Sequence, residues 1–268
     1  MNLNIIFYYH LKFSELCFII YPYQLTVKLY LKLPVSAYAF RSYAFLLIFY
    51  MLKFNRPDRP ETQVRRKYMD LILIVGMPAS GKSTFARSCG AHFGYPVLEK
   101  DDFKEVLFDT IGFTNYGQKR IMDFAATRVM LHAADTLLAA GNSCILINNF
   151  RDDNKDEVCG LIEKYGCACV TVFFGGNCDV FYRRYVERDN NHERHAGHVV
   201  QDHYPLLPGE SADYEMTRGE FAEKFEKLGM DSFTAPGGRI DVDATYPETI
   251  DVKALLEEIE RQLAAQAK

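Results

Sequence analysis

A chain of 268 residues, 49% of them hydrophobic and with a formal charge of −4, is long enough for one or two domains and a substantial core. The charge is uneven. Residues 1–68 hold ten of the 31 basic residues and three of the 35 acidic ones, leaving 21 against 32 in residues 69–268, a balance of −11. A domain that acidic is a poor electrostatic host for a nucleic-acid backbone, so a nucleic-acid partner is not expected.

The segment 1–68 is rich in Phe, Tyr, Leu, Ile, Lys and Asn and contains no glycine. It is neither a clean signal peptide nor a clean span. Its charge-free apolar stretch 42–52 is about half the ~20 residues a helix needs to cross a bilayer. It reads as an atypical N-terminal extension, with Met69 as the expected true start and 69–268 as the functional domain, for which no membrane contact is expected.

Leu71–Val75 is a continuous apolar run, suited to a buried parallel strand. Gly76 ends it, and Gly76, Gly81, Lys82 and Ser83 fit G-x-x-x-x-G-K-[ST] at every fixed position. A loop of inward-pointing N–H groups cradles phosphate oxygens only if side chains stay clear, which is what the glycines permit. The nucleotide-binding stretch is therefore Gly76, Met77, Pro78, Ala79, Ser80, Gly81, Lys82, Ser83 and Thr84. Lys82 reaches the terminal phosphates of ATP, and Ser83 offers its hydroxyl to Mg²⁺. A helix from Thr84 would place the phosphates at a helix N-terminus.

Pro96–Glu99 reads as a second strand. Asp102 with Glu105 three residues on resembles a capping box, whereas Asp101 sits beyond a strand end, where open α/β sheets bind ligands and a carboxylate can accept a hydroxyl proton. A long helix is expected over 117–140, with Ile121, Phe124, Ala125, Val129, Leu131, His132, Leu137 and Leu138 on its apolar face. A strand follows at Cys144–Ile147, ending in Asn148-Asn149. Then come a helix over 152–165, a strand over 167–174 and a helix over 179–189. Arg184 and Arg188 share a face of that helix. The polar segment 190–198 carries Arg194 and the histidines His192, His195 and His198, which lack the partners for a metal site. A helix over 219–228, a strand over 239–242 and a helix over 251–265 complete the chain. Alternating strands and helices predict a parallel sheet flanked by helices, a three-layer α/β/α sandwich of five strands. The seven cysteines, odd in number and without C-x-x-C spacing, read as small buried thiols in a reducing cytosol.

GMPASGKST at 76–84, KDDFK at 100–104 and Arg184-x-x-x-Arg188 before Arg194-His195-Ala196-Gly197-His198 resemble one another's counterparts in a group of P-loop kinases. That group includes zeta toxins, chloramphenicol phosphotransferase and the kinase domain of phage polynucleotide kinase, and is also described as AAA family ATPases. The resemblance implies ATP-dependent transfer of the γ-phosphate to a hydroxyl of a small-molecule acceptor. It implies Asp101 as general base, Lys82 on the terminal phosphates, and Arg184, Arg188 and Arg194 as lid arginines. A 5′-polynucleotide kinase, a nucleotide-sugar kinase or an ATP-dependent switch without acceptor are the alternatives. Where many relatives carry an acid at the end of the third strand, this chain has Asn148 and Asn149. Mg²⁺ would then rest on Ser83, the phosphates, water and Asp101.

Overall fold

The computed structural model describes residues 69–150, 152–191, 194–212, 216–226 and 231–266. The N-terminal extension 1–68 and His192 lie outside them, as does the expected end of the 219–228 helix.

Five strands form one sheet: β1 (Asp70–Gly76), β2 (Val97–Glu99), β3 (Cys144–Ile147), β4 (Ala168–Gly175) and β5 (Gly238–Asp243). Their order is β2-β3-β1-β4-β5, and every pairing is parallel. After β3 the chain crosses over β1 to reach β4, so the switch point of the sheet lies at the carboxyl end of β1. All of Leu71–Val75 is fully buried, as the apolar run predicts for a strand covered on both faces.

Alternate residues of β1 feed two cores. Ile72 and Ile74 pack with Phe85, Ala86 and Cys89 of α1 (Lys82–Phe93), Phe181 and Tyr185 of α5 (Cys178–Asn190), Phe221 of α7 (Arg218–Glu226), and Leu255, Ile259 and Leu263 of α8 (Val252–Gln266). Leu71, Leu73 and Val75 pack with Met130, Ala134 and Leu138 of α3 (Tyr116–Ala139) and with Val158, Leu161 and Ile162 of α4 (Asp152–Tyr165). This is the expected three-layer sandwich.

A third, smaller cluster joins Phe108 of α2 (Lys100–Ile111) to Phe113, Met122 of α3 and Val200. It fixes α2 against the segment that contains the short helix α6 (Ala196–Val199). Gly197 is required there, because an added Cβ would lie 2.5 Å from the Phe108 ring.

Two local readings are corrected. The α3 face is rotated in its first half: Ile121 and Phe124 are 68% and 63% exposed and Val129 is exposed, while Met122, Ala126, Met130 and Ala134 are buried; Leu131 and Leu138 are buried as expected. Met130, Leu131, Ala134 and Leu138 pack on the sheet side, and Met122 packs on Phe108. Nor is Asp102 a helix cap. The chain passes from β2 into α2 without a turn, Glu99 occupies the cap position in extended conformation, and Asp102 lies inside the first turn. Side-chain caps stand elsewhere: Asn115 accepts from the Gln118 N–H, and Asn177 from the Asp179 and Val180 N–H groups. Among the described residues all six cysteines are free thiols; burial pushes Cys89 and Cys144 up to about 12, which leaves them unreactive.

Candidate active site

The β1–α1 connection crowds the backbone. Gly76 has φ 138°, and a Cβ there would sit 2.2 Å from the Phe174 carbonyl oxygen, which also accepts the Met77 N–H at 3.1 Å. Ala79 adopts a left-handed φ of 58°, the one non-glycine residue to do so among the described residues. Gly81, at φ 86°, caps α1 with no side-chain acceptor, so the first amides of the helix stay open to a phosphate. The Ser80 hydroxyl is buried and has no hydrogen-bond partner among the described residues.

Lys82 is folded back onto this loop. Its Nζ donates to the Gly76 carbonyl at 2.8 Å and the Met77 carbonyl at 2.5 Å. Burial lowers its pKa to about 7 against the attraction of Asp101 and Glu99, and Arg188 lowers it further. Two donated hydrogens are what a neutral amine has, so the ammonium form has one to spare for a phosphate oxygen.

Ser83 Oγ donates to Glu99 Oε1 at 2.5 Å. Glu99 is the last residue of β2, and burial raises its pKa while the Ser83 hydrogen bond lowers it. The sequence reading missed Glu99 and looked to Asp101 as the carboxylate for Mg²⁺. The available signal was an acid two residues before Asp101 at the strand end. Asn148 follows β3, next to both strands: Ile147 pairs with Glu99 and with Ile74, and the Asn148 N–H donates to the Ile74 carbonyl at 3.3 Å. Its side chain is buried, and its Nδ2 has no partner among the described residues. Two hard oxygen donors beside the phosphate loop suit Mg²⁺, which keeps most of its waters. Among the described residues no group of three His, Cys, Asp or Glu is placed to hold a metal alone.

Asp101 stands in the first turn of α2 with a side chain 43% exposed, 3.3 Å from Lys100 Nζ. Burial against protein would raise its pKa, but Lys100, His198, Arg194 and Lys104 together hold it far below the usual carboxylate range. Asp123 of α3 secures this arrangement, accepting from Lys100 at 2.8 Å and Lys104 at 2.7 Å.

The arginines divide. Arg188 and Arg194 both lie within electrostatic reach of Asp101, and both face the Tyr185 ring at 5.7 and 5.4 Å. Arg184 does not join them. It donates to the Ala244 carbonyl at 3.1 Å and the Thr245 carbonyl at 2.6 Å, tying α5 to the loop after β5. Sharing a helix face was a sound inference, but one turn along the axis separates a structural anchor from the site.

The histidines clasp the segment to α2. His195 Nδ1 accepts the Gly197 N–H at 3.0 Å, so its Nε2 carries the proton donated to Asp109 at 3.0 Å. His198 Nε2 meets Glu105 Oε1 at 3.1 Å, and Lys119 Nζ donates to the His198 and Val200 carbonyls at 2.8 and 2.5 Å. These contacts bring Arg194 to Asp101 across ninety residues of chain.

A model of the AAA domain family matches residues 71–203, from β1 through the arginine segment. A proposed kinase from Chloroflexus aurantiacus is 26% identical, with a TM-score of 0.62 over 74% of this chain and 100% of that one. More distant are a gluconokinase from Sinorhizobium meliloti (18% identity, TM-score 0.43, 75% of this chain and 95% of that one) and a shikimate kinase from Acinetobacter baumannii in complex with shikimate (14%, 0.44, 74% and 94%). No curated protein matches the chain. The five-stranded parallel sheet with its flanking helices is the α/β fold of P-loop kinases.

Proposed function

We propose that this chain transfers the terminal phosphoryl group of ATP to a hydroxyl of a small-molecule acceptor. One observation carries the reading. Asp101 is within electrostatic reach of Lys82, Arg188 and Arg194, so three elements distant in sequence converge on one carboxylate. A phosphate loop alone serves any nucleotide-binding protein. The half-open carboxylate near its lysine gives an acceptor hydroxyl a partner.

On nucleotide binding, Lys82 exchanges its two carbonyl partners for phosphate oxygens, and the α1 amides, with Ser80 and Asn148, offer further donors. Ser83 and Glu99 would hold Mg²⁺, which would supply charge neutralisation on the phosphates. Arg188 and Arg194, within electrostatic reach of Asp101, would stabilise charge on the oxygens of the group in flight. Asp101, kept weakly basic by its cations, orients the hydroxyl by accepting its hydrogen bond and takes the proton late, after bonding to phosphorus has begun. Catalysis is thus mostly positioning and electrostatics.

The likeness to the zeta toxin and chloramphenicol phosphotransferase group supports the hydroxyl as acceptor, and the −11 balance of residues 69–268 argues for a small molecule over a polynucleotide. The test is transfer from γ-labelled ATP to a panel of sugars, nucleosides, nucleotide-sugars, aminoglycosides and 5′-hydroxyl oligonucleotides. Labelling of a small-molecule class is the expected result. Labelling of oligonucleotides alone, or ATP hydrolysis with no labelled acceptor, would refute the reading.

A further inference from the structure

We infer that Asp189 is a positioning residue that holds Arg188 and Arg194 side by side as one cationic pair for the transferring phosphoryl group. The inference rests on the kinase reading of the same site.

Asp189 lies on α5, next to Arg188, with a side chain only 7% exposed. Its Oδ1 is 3.9 Å from Arg188 Nε and 3.6 Å from Arg194 NH1. Charge-assisted hydrogen bonds of this kind close at about 2.7–2.9 Å. Here none of the three atoms has a hydrogen-bond partner among the described residues, although all are buried. Three complementary buried groups standing just outside bonding distance of one another is an uncommon state, because each unsatisfied atom is costly.

The ring of Tyr185 explains how the geometry is kept. Both guanidiniums rest against it, at 5.7 and 5.4 Å from its centre, so neither closes fully onto the carboxylate. Without Asp189, two like charges would share a partly desolvated space and separate. With a tighter carboxylate, their N–H groups would be consumed. The observed spacing does neither: it neutralises the pair while the Arg188 and Arg194 side chains stay 35% and 19% exposed, open to oxygens that gain charge when the phosphoryl group is in flight.

The test uses the full chain and compares ADP·Mg²⁺ alone with ADP·Mg²⁺ plus aluminium fluoride, a mimic of the transferring phosphoryl group that needs no acceptor. Asp189→Asn is expected to weaken the fluoride complex about tenfold, within the span of couplings between contacting groups, and ADP alone by less than about twofold. Asp189→Glu restores the charge and most of the affinity. In an Arg188→Ala background, Asp189→Asn adds less than about threefold, since no pair remains to be held. If Asp189→Asn fails to fold, the comparison of Arg188→Ala with Arg188→Ala/Asp189→Asn, which removes a cation and an anion together, decides the matter. Equal loss for ADP and for the fluoride complex, no loss at all, or a larger drop in the Arg188→Ala background would overturn the inference. Failure to label any acceptor would sink the kinase reading separately, because the fluoride measurement involves none.

Discussion

The two sides of the candidate site hold their cations in opposite states. On the phosphate-loop side, Lys82 is closed onto the Gly76 and Met77 carbonyls, so its donors are occupied within its own loop. On the arginine side, Arg188 Nε and Arg194 NH1 are buried with no hydrogen-bond partner among the described residues, beside a carboxylate too far away to bond. The difference follows from what stands nearby. A loop with positive φ at Gly76, Ala79 and Gly81 turns carbonyls toward the lysine, whereas the arginines meet an aromatic ring and a carboxylate fixed in a helix. On the proposed reading, the loop lysine would exchange its carbonyls for nucleotide and the arginines would meet charge that appears only during transfer, so that ground-state binding and transition-state stabilisation would fall to different elements.

Substitutions can break this contrast. Lys82→Met should lower the transfer rate by about 10²–10³-fold, the range for losing a preorganised donor to developing charge, measured under single-turnover conditions. Glu99→Gln should raise the Mg²⁺ concentration for half-maximal activity by about 10–100-fold, with the rate largely restored at saturating metal; an unchanged Mg²⁺ requirement would detach Glu99 from the ion.

The lysine also makes a pH prediction. With its folded pKa lowered from 10.5 to about 7, the folded protein binds fewer protons than the unfolded chain between those values, so this contribution to stability rises with pH across that window. A phosphate shifts Lys82 back toward the charged form. ATP binding at pH 8 should therefore take up a substantial fraction of a proton, read by calorimetry in buffers of different ionisation enthalpy. At pH 6 the uptake should be small, and in Lys82→Met it should vanish at both. The smallest effect on rate belongs to Arg184→Ala. Transfer should stay within about twofold, while urea unfolding reports a loss of about 1–3 kcal/mol for the two charge-assisted bonds to Ala244 and Thr245.

The sheet was legible because parallel strands buried on both faces leave continuous apolar runs, as in Leu71–Val75, and because the phosphate loop has fixed spacing. The position of Asp101 just after a strand was legible too, and it stands in the first turn of α2. The sequence falls short where long-range partners decide. The phase of α3 depends on its neighbours: Met130 and Ala134 pack on the sheet and Met122 on Phe108, while Ile121 and Phe124 stay exposed. Arg184 and Arg188 look equivalent by spacing; only the carbonyls of Ala244 and Thr245, some sixty residues away, tell them apart. Glu99 reads as an ordinary strand end because nothing local reveals that Ser83 bonds to it. Lys119, a buried lysine spent on two carbonyls, leaves no trace in the sequence at all.

The most direct test sets the intact protein beside Asp101→Ala, with γ-labelled ATP and the best acceptor from the panel, and records acceptor labelling and ATP hydrolysis together. A kinase that orients its acceptor through Asp101 should lose labelling by about 10²–10⁴-fold, while ATP affinity and slow hydrolysis persist. Equal labelling by both proteins, or hydrolysis falling in step with labelling, would contradict that role.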